Sequence, residues 1–328
     1  MKNIPILITS VGGPPGRSAY ESLKILNYKK IYTCDTNLRC SFNLLKKNKF
    51  FIVPKVNSKK YFNYIKKIID KYKIKIIIPC IETEVIFWSL NKHKIKNVNF
   101  LIPPNTSLKV AINKFSISKI AKSLNIHYPK TQKIKLPVKK VNVKFKFPFI
   151  IKPTFSWGMK GFKLIKNKFD LNYVINTFNG EFIFQEYIKS NNQNIFAVGL
   201  LYNKNSKCIM SYCSKSLSTT NELGGAATSG VEINNKKLII QSIDFINKIG
   251  KWNGPVMIEW IYLKKKNFFY LIDVNPRLWG YSILSTFNGK NFPANIINII
   301  NNKRVSMNFP RKKYYFVRDS INLKSKIN

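Results

Sequence analysis

The sequence predicts two constructions in one chain: an α/β unit on a small open parallel sheet, followed by an α+β region with antiparallel sheets. Three observations predict this. Residues 1 to about 110 alternate short apolar runs with amphipathic stretches, the rhythm of successive βαβ units. From Phe147 onward, strands follow one another across turns with few helices between them. The chain has 328 residues, 45% of them hydrophobic, which is enough for two or three packed units with sizeable cores.

The first unit opens on a strand over Ile4 to Thr9, followed by a Gly/Pro turn through Gly12-Gly13-Pro14-Pro15-Gly16 and a helix from Arg17 to about Leu26. A strand over Lys30 to Cys34 runs into Asp35, and a third lies near Phe50 to Val53. Tyr61 to Tyr72 reads as a helix because Tyr61, Ile65, Ile68 and Ile69 fall on one side. A strand over Lys75 to Ile78, a helix over Glu82 to Leu90 and a strand over Phe100 to Ile102 complete the unit. Pro103-Pro104-Asn105 breaks the rhythm, and Lys114 to Leu124 is a further helix. Beyond it, strands are expected over Phe149 to Lys152, Gly161 to Ile165, Phe182 to Glu186, Ile195 to Tyr202, Cys208 to Ser214, Val256 to Ile261 and Phe268 to Asp273. The helices expected there are Asp170 to Phe178, Lys236 to Ile249 and roughly Ser282 to Ile300, with a last strand near Tyr314 to Val317 in a basic tail.

Composition narrows the function classes. The formal net charge of +43 suggests a polyanion partner, yet the excess comes from 51 lysines and only 6 arginines, scattered with asparagine and isoleucine along the whole chain. A nucleic-acid surface concentrates charge in patches and uses arginine forks, so a coding bias explains the spread more simply and no specific nucleic acid is expected. Apolar runs are too short to span a bilayer and the N-terminal segment lacks a signal-peptide pattern, so we expect a cytoplasmic protein with no membrane partner. Five cysteines without a CxxC pair and only two histidines argue for reduced thiols and against structural zinc.

Four segments carry chemistry. The turn at Gly12 to Gly16 could hold a carboxylate or phosphate at a helix N-terminus, with Gly13, Gly16 and Arg17 as candidates. It could equally be a structural turn. The spacing is wrong for GxGxxG, although Asp35 at the next strand end would suit a dinucleotide. In the second segment Lys152 stands at a strand exit before the loop Thr154 to Gly161, a sensible way to hold two phosphates without a P-loop. Alone it could be one of many surface lysines; the loop and the downstream carboxylates change that weighting. In the third, Gln185-Glu186-Tyr187-Ile188 could form a hinge against a base, and an ordinary strand end fits as well. The fourth is the strongest: Glu259 sits among apolar strand residues, and Asp273 and Asn275 lie two apart on one face of another strand. Two carboxylates and an amide oxygen suit magnesium, and Arg277 can meet the oxygens of a transferring phosphoryl group. With only 14 acidic residues in the chain, two in apolar strands ask for compensation.

Asp273-Val274-Asn275-Pro276-Arg277-Leu278-Trp279-Gly280, preceded by Glu259, resembles the acidic-x-Asn-Pro-Arg-x-x-Gly metal motif of the ATP-grasp superfamily, nearest the carbamoyl-phosphate synthase-like and biotin carboxylase-like branch. The resemblance covers almost the whole length. It implies a pre-ATP-grasp domain over 1–110, a small ATP-grasp subdomain over 111–190, a catalytic subdomain over 191–310 and a tail over 311–328. It also implies ATP and two magnesium ions, with manganese as a substitute. By the same resemblance Lys114 and Lys152 are nucleotide-phosphate lysines, and Ser156, Trp157, Gly158 and Gly161 belong to the covering loop. Gln185, Glu186, Tyr187 and Ile188 form the adenine hinge. Glu259, Asp273 and Asn275 hold metal, and Arg277 and Lys215 face the reacting phosphate. Gly224 to Thr228 is a substrate-side loop, and the substrate pocket lies near Gly13, Gly16, Arg17, Glu82 and Thr228. The implied reaction activates a carboxylate as an acyl phosphate for attack by an amine, on small-molecule substrates such as amino acids or peptides, from a chain whose oligomeric state, homodimer or otherwise, is open. The sequence departs from the family in Trp157 and Met159 where relatives carry glycine, in Asn113 before Lys114, and in Asp273 for the commoner glutamate. Another ATP-grasp activity, a regulatory nucleotide-binding protein without turnover, and a nucleic-acid-binding module are the alternatives.

Overall fold

The structure is a computed structural model, described here over residues 2–44, 49–155, 161–189, 194–221, 224–308 and 314–318. The first unit is a parallel sheet of β1 (Ile6–Ile8), β2 (Ile31–Asp35), β3 (Phe50–Ile52) and β4 (Ile76–Ile78) in the order β3-β2-β1-β4. Its helices are α1 (Pro14–Ile25), α2 (Ser41–Leu44), α3 (Tyr61–Tyr72), α4 (Glu82–Asn91) and α5 (Asn105–Ala111). The helix of the first crossover begins three residues earlier than expected, because prolines fit the first helical turn, where no intrahelical donor is needed. No strand forms at Phe100 to Ile102; just before it Asn99 makes one parallel bridge, to Ile76.

After α6 (Lys114–Ser123), capped by the Asn113 side chain, comes a small antiparallel sheet. It is formed by β5 (Thr131–Leu136), β6 (Phe149–Pro153), β7 (Lys163–Ile165) and β8 (Gly180–Glu186) in the order β5-β8-β6-β7, with α7 (Lys168–Thr177) across one face. The larger sheet holds β9 (Ile195–Tyr202), β10 (Cys208–Asn221), β11 (Gly224–Glu232), β12 (Gly254–Leu263), β13 (Phe268–Asn275) and β14 (Tyr315–Val317). Their order is β13-β12-β9-β10-β11-β14, antiparallel throughout. Two differences from expectation have local causes. The expected loop at Gly224 to Thr228 is strand, pairing Gly224 with Asn221 and Ala227 with Thr219, so β10 and β11 extend as a polar two-stranded arm. The long helix expected after Ser282 is two, α9 (Ile283–Phe287) and α10 (Phe292–Ile300). Gly289 at φ +89° breaks it, and the Asn291 side chain caps the second by accepting from the Ala294 amide.

The larger sheet is covered on both faces. Helices α6 and α8 (Lys236–Ile249) pack on Val198, Leu200, Ile258 and Trp260. The opposite face carries Ala197, Leu201 and Met257 and is buried under Trp279, α10 and the N-terminal unit, whose Ile6, Ile8, Leu23 and Ile76 join the same core. Two glycines permit this approach. A Cβ at Gly199 would lie 2.3 Å from the Trp279 ring, and one at Gly254 (φ +88°) would lie 2.1 Å from the Leu101 carbonyl oxygen. Among the described residues no helix is long and apolar enough to cross a membrane, and all five cysteines are free thiols.

Candidate functional site

Strand alternation builds one wall. Phe149, Ile151, Phe182 and Phe184 pack under α7, so their neighbours Ile150, Lys152, Ile183 and Gln185 project the other way, paired Ile150 with Gln185 and Lys152 with Ile183. On the opposite wall, Ile258 with Val274 and Trp260 with Leu271 are cross-strand partners in the core beneath α6 and α8. Just beyond the Ile258–Val274 pair Met257 stands opposite Asn275, and between the two pairs Glu259 stands opposite Asp273 on the same face. The register slips there, leaving Ile272 as an extra residue. That β-bulge sends Leu271 into the core while Asp273, two residues on, faces the cleft; in a regular strand both would share a face.

The site is charge-dense. Three carboxylates, Glu82, Glu259 and Asp273, act on three cations, Lys114, Lys152 and Arg277. Lys114 is buried with Nζ 3.5 Å from Asp273 Oδ1. Burial, and then the Lys114 charge, pull the Lys152 ammonium down to about 8, against the opposing effect of Asp273 and Glu259. Burial, and then Asp273 across the register, push the Glu259 carboxyl up to about 7, against Arg277 and Lys114. Two facing carboxylates with an amide oxygen beside them fit a hard divalent cation, whose charge would offset what raises Glu259. Among the described residues no three His, Cys, Asp or Glu side chains group as a metal site, so other ligands would have to complete the shell.

Two cavities meet at Glu259. One, of about 180 Å³, runs between the sheets: Ile150, Phe162 and Ile188 on one side face Ile195, Ile261 and Ile272 on the other, and Lys152, Glu186, Tyr187 and Asp273 also line it. The second, of about 190 Å³, lies toward the N-terminal unit, lined by Pro14, Ser216, Thr219, Arg277 and Tyr281 among others. Glu259, Ile195 and Gly225 border both. Sequence reasoning missed the apolar slot, although alternation placed Ile150 beside Lys152 on one face.

The expected residues divide. Lys114, Lys152, Glu259, Asp273, Asn275 and Arg277 converge. In the hinge segment Gln185 is fully buried, its Nε2 donating to Thr131 Oγ1 at 2.9 Å, and Glu186 Oε2 accepts from the Lys130 amide at 3.2 Å. Gly161 sits at φ +72°, tight against Pro153, while Ser156, Trp157 and Gly158 lie outside the described residues. Lys215 is not brought in. Its cross-strand partner is Phe196, on the core side, and its Nζ lies over that ring at 6.0 Å, whereas the neighbouring Ser216 lines the second cavity. Thr228 belongs to a strand, its hydroxyl 2.6 Å from Ser218 Oγ; Ala226 and Ala227 line the second cavity instead. Arg17 is half exposed, paired with Glu21 at 2.9 Å over the Phe42 ring, and lines neither cavity. Gly16 packs on the Ser10 carbonyl and Gly13 precedes α1, so both shape the turn. Asp35 accepts from the amides of Gly12 (2.8 Å) and Asn37 (2.9 Å), which commits it to that turn rather than to a ribose. Glu82 is buried against Arg277 at 2.7 Å rather than open to a substrate.

The sequence matches the family model of the PylC-like N-terminal domain over residues 6–102 and that of the ATP-grasp domain over residues 111–281, more than half the chain. No curated protein sequence matches it. Solved structures share its fold at low identity. An L-amino acid ligase from Bacillus licheniformis has a TM-score of 0.67 at 14% identity, covering 92% of this chain and 74% of its own. A carboxyaminoimidazole ribonucleotide synthase from Aspergillus clavatus, complexed with ATP, has a TM-score of 0.69 at 13% identity over 94% and 79%. A biotin carboxylase from Campylobacter jejuni, in a β-γ-ATP complex, has a TM-score of 0.68 at 14% identity over 93% and 72%.

Proposed function

The chain belongs to the ATP-grasp superfamily, and from that premise we propose that it is an ATP-dependent ligase that activates a carboxylate for attack by an amine. The observation that carries this reading is the meeting of two cavities at Glu259, one shaped for a flat apolar ring and the other for a small second molecule. In this reading the adenine lies in the isoleucine slot with its edge toward Glu186 to Ile188, and the phosphates reach Lys152 and Lys114. Glu259, Asp273 and Asn275 would hold the magnesium, which when bound neutralises phosphate charge and polarises the transferring group. The carboxylate occupies the second cavity beside Arg277. Its oxygen attacks the γ-phosphorus, the bond to ADP breaks, and an amine then displaces phosphate from the acyl carbon. No protein nucleophile is required, so the protein's contribution is positioning and charge stabilisation. The L-amino acid ligase among the similar structures supports amino acids and short peptides as first substrates to try.

The test is magnesium-dependent ADP release from a panel of amino acids and dipeptides, with calorimetric ATP binding alongside. Asp273→Asn is nearly isosteric and should keep the fold and most nucleotide affinity while lowering turnover on the order of 10²- to 10³-fold. Wild-type turnover in that variant would overturn the metal assignment. Tight ATP binding by the wild type without turnover on any pair would favour a regulatory protein.

A further inference from the structure

Among the described residues Arg277 is the one cation lining the second cavity, and most of its hydrogen-bonding edge is already engaged. Nε donates to Glu82 Oε1 at 2.8 Å, and Nη2 forms an ion pair with the same oxygen at 2.7 Å. Nη2 also donates to Asn275 Oδ1 at 3.3 Å, and Nη1 to the Leu278 carbonyl at 2.9 Å. A guanidinium carries five N–H donors; with the Nε/Nη2 edge held against Glu82 and Asn275 and one Nη1 N–H on Leu278, the second Nη1 N–H is left outside these contacts. The Nε/Nη2 edge, which could otherwise meet the oxygens of a transferring phosphoryl group, is therefore turned toward the protein. Its partner comes from the other unit: Glu82 is the first residue of α4, 195 positions away in the chain. Both side chains are sequestered, 16% and 9% exposed, so solvent and salt screen the pair little. Glu82 does not line the second cavity; it lines a separate space of about 50 Å³ with Lys114, Asp273 and Asn275.

We propose that Glu82 is a positioning residue for Arg277. It holds the Nε/Nη2 edge so that the remaining Nη1 N–H is the donor presented to the reacting oxygens. Because Glu82 is carried by the N-terminal unit, the aim of Arg277 depends on how that unit is seated. This rests on the ligase reading above for what Arg277 does, but the pairing itself can be tested without it. The sequence placed Glu82 in the substrate pocket; the geometry places it one residue further from the chemistry, acting through the arginine.

Three roles predict different measurements. A substrate ligand would raise KM for the carboxylate when removed. A purely structural clamp would lower stability and leave the folded enzyme's kcat alone. A positioning residue lowers kcat and leaves carboxylate KM and MgATP affinity unchanged. The experiment uses the full chain, with Glu82→Gln, Glu82→Asp, Arg277→Lys and the double variant Glu82→Gln/Arg277→Lys. With only six arginines in the sequence, the Nε–H signals of ¹⁵N-arginine-labelled protein can be assigned, the Arg277 signal by its loss in Arg277→Lys. We expect that signal to exchange slowly in wild type and to shift and exchange fast in Glu82→Gln. We expect kcat for ADP release to fall roughly 10²-fold in Glu82→Gln, to recover in part in Glu82→Asp, and to be no lower in the double variant than in Arg277→Lys alone. An unchanged Arg277 signal in Glu82→Gln overturns the proposal. So does a double variant whose loss is the product of the single losses, or a Glu82→Gln effect confined to KM or to melting temperature. If no carboxylate drives ADP release in wild type, the ligase reading fails by itself, and the Arg277 signal alone decides the pairing.

Discussion

The two sheets that face each other across the cleft are held in different ways. The larger one shares its core with the N-terminal unit. Leu23 of α1, Ile76 of β4, Met257 of β12, Trp279 and Phe292 of α10 belong to one continuous cluster. Polar contacts pin the same boundary, with Ser18 Oγ on the Gly280 carbonyl (2.8 Å), the Asn291 amide on the Ser22 carbonyl (2.7 Å) and the Arg277–Glu82 pair. The small sheet instead has a core of its own, made by Phe149, Ile151, Phe182 and Phe184 with Val174 and Ile175 of α7. The carboxylates of the cleft therefore stand on a sheet whose core is shared with the N-terminal unit, and Lys152 stands on a sheet with a core of its own. A site divided this way can place its anionic ligands once and bring a cation to bear through motion between bodies.

The largest effect expected from this difference is on stability. Phe184→Ala removes a fully buried ring in edge-to-face contact with Phe149, and should cost roughly 3–5 kcal/mol. Hydrogen exchange should show that loss in β6 and β8 while β1 and β9 keep their protection; Leu23→Ala should loosen β1 and β9 together. A uniform loss across all three sheets in Phe184→Ala would end the idea of separate bodies.

Lys152 sharpens the comparison next. Its native pKa, lowered to about 8 from 10.5, means that the unfolded chain binds its proton more readily than the folded one. Stability without nucleotide should therefore rise as pH climbs from about 8 to about 10.5, by up to about 3 kcal/mol, with the penalty fully present below 8. Lys152→Met should flatten that rise in a melting series and weaken ATP binding by roughly 1.5–3 kcal/mol at neutral pH. A pH slope unchanged by the substitution would show that another group titrates.

The smallest effect is expected at Arg17, whose exposed pair with Glu21 lies outside both cavities. Arg17→Ala should move the melt by no more than about 1 kcal/mol and leave ADP release unchanged. A raised KM for either substrate would return this residue to the site.

Much of this was legible along the chain because it depends on neighbours. Short apolar runs bounded by turns marked β6, β8, β9, β12 and β13, and the Glu259 and Asp273-x-Asn275 spacing pointed to the carboxylate wall, since residues two apart share a face wherever a strand runs regularly. The family likeness, carried by that motif, agrees with the matched domains. Other features depend on partners far away in the chain. Nothing local tells that Ile272 is an extra residue, that Lys215 pairs with Phe196 and so faces the core, or that a Gly-Ala-Thr stretch completes a strand with β10. Nor does any spacing connect Glu82 to Arg277, because the pair exists only where α4 packs against the end of β13. Side-chain identity and period determined which groups were available to the cleft. Register, bulge and the docking of one unit on another decided which of them entered it, since each of those is settled by packing between segments that the chain order keeps apart.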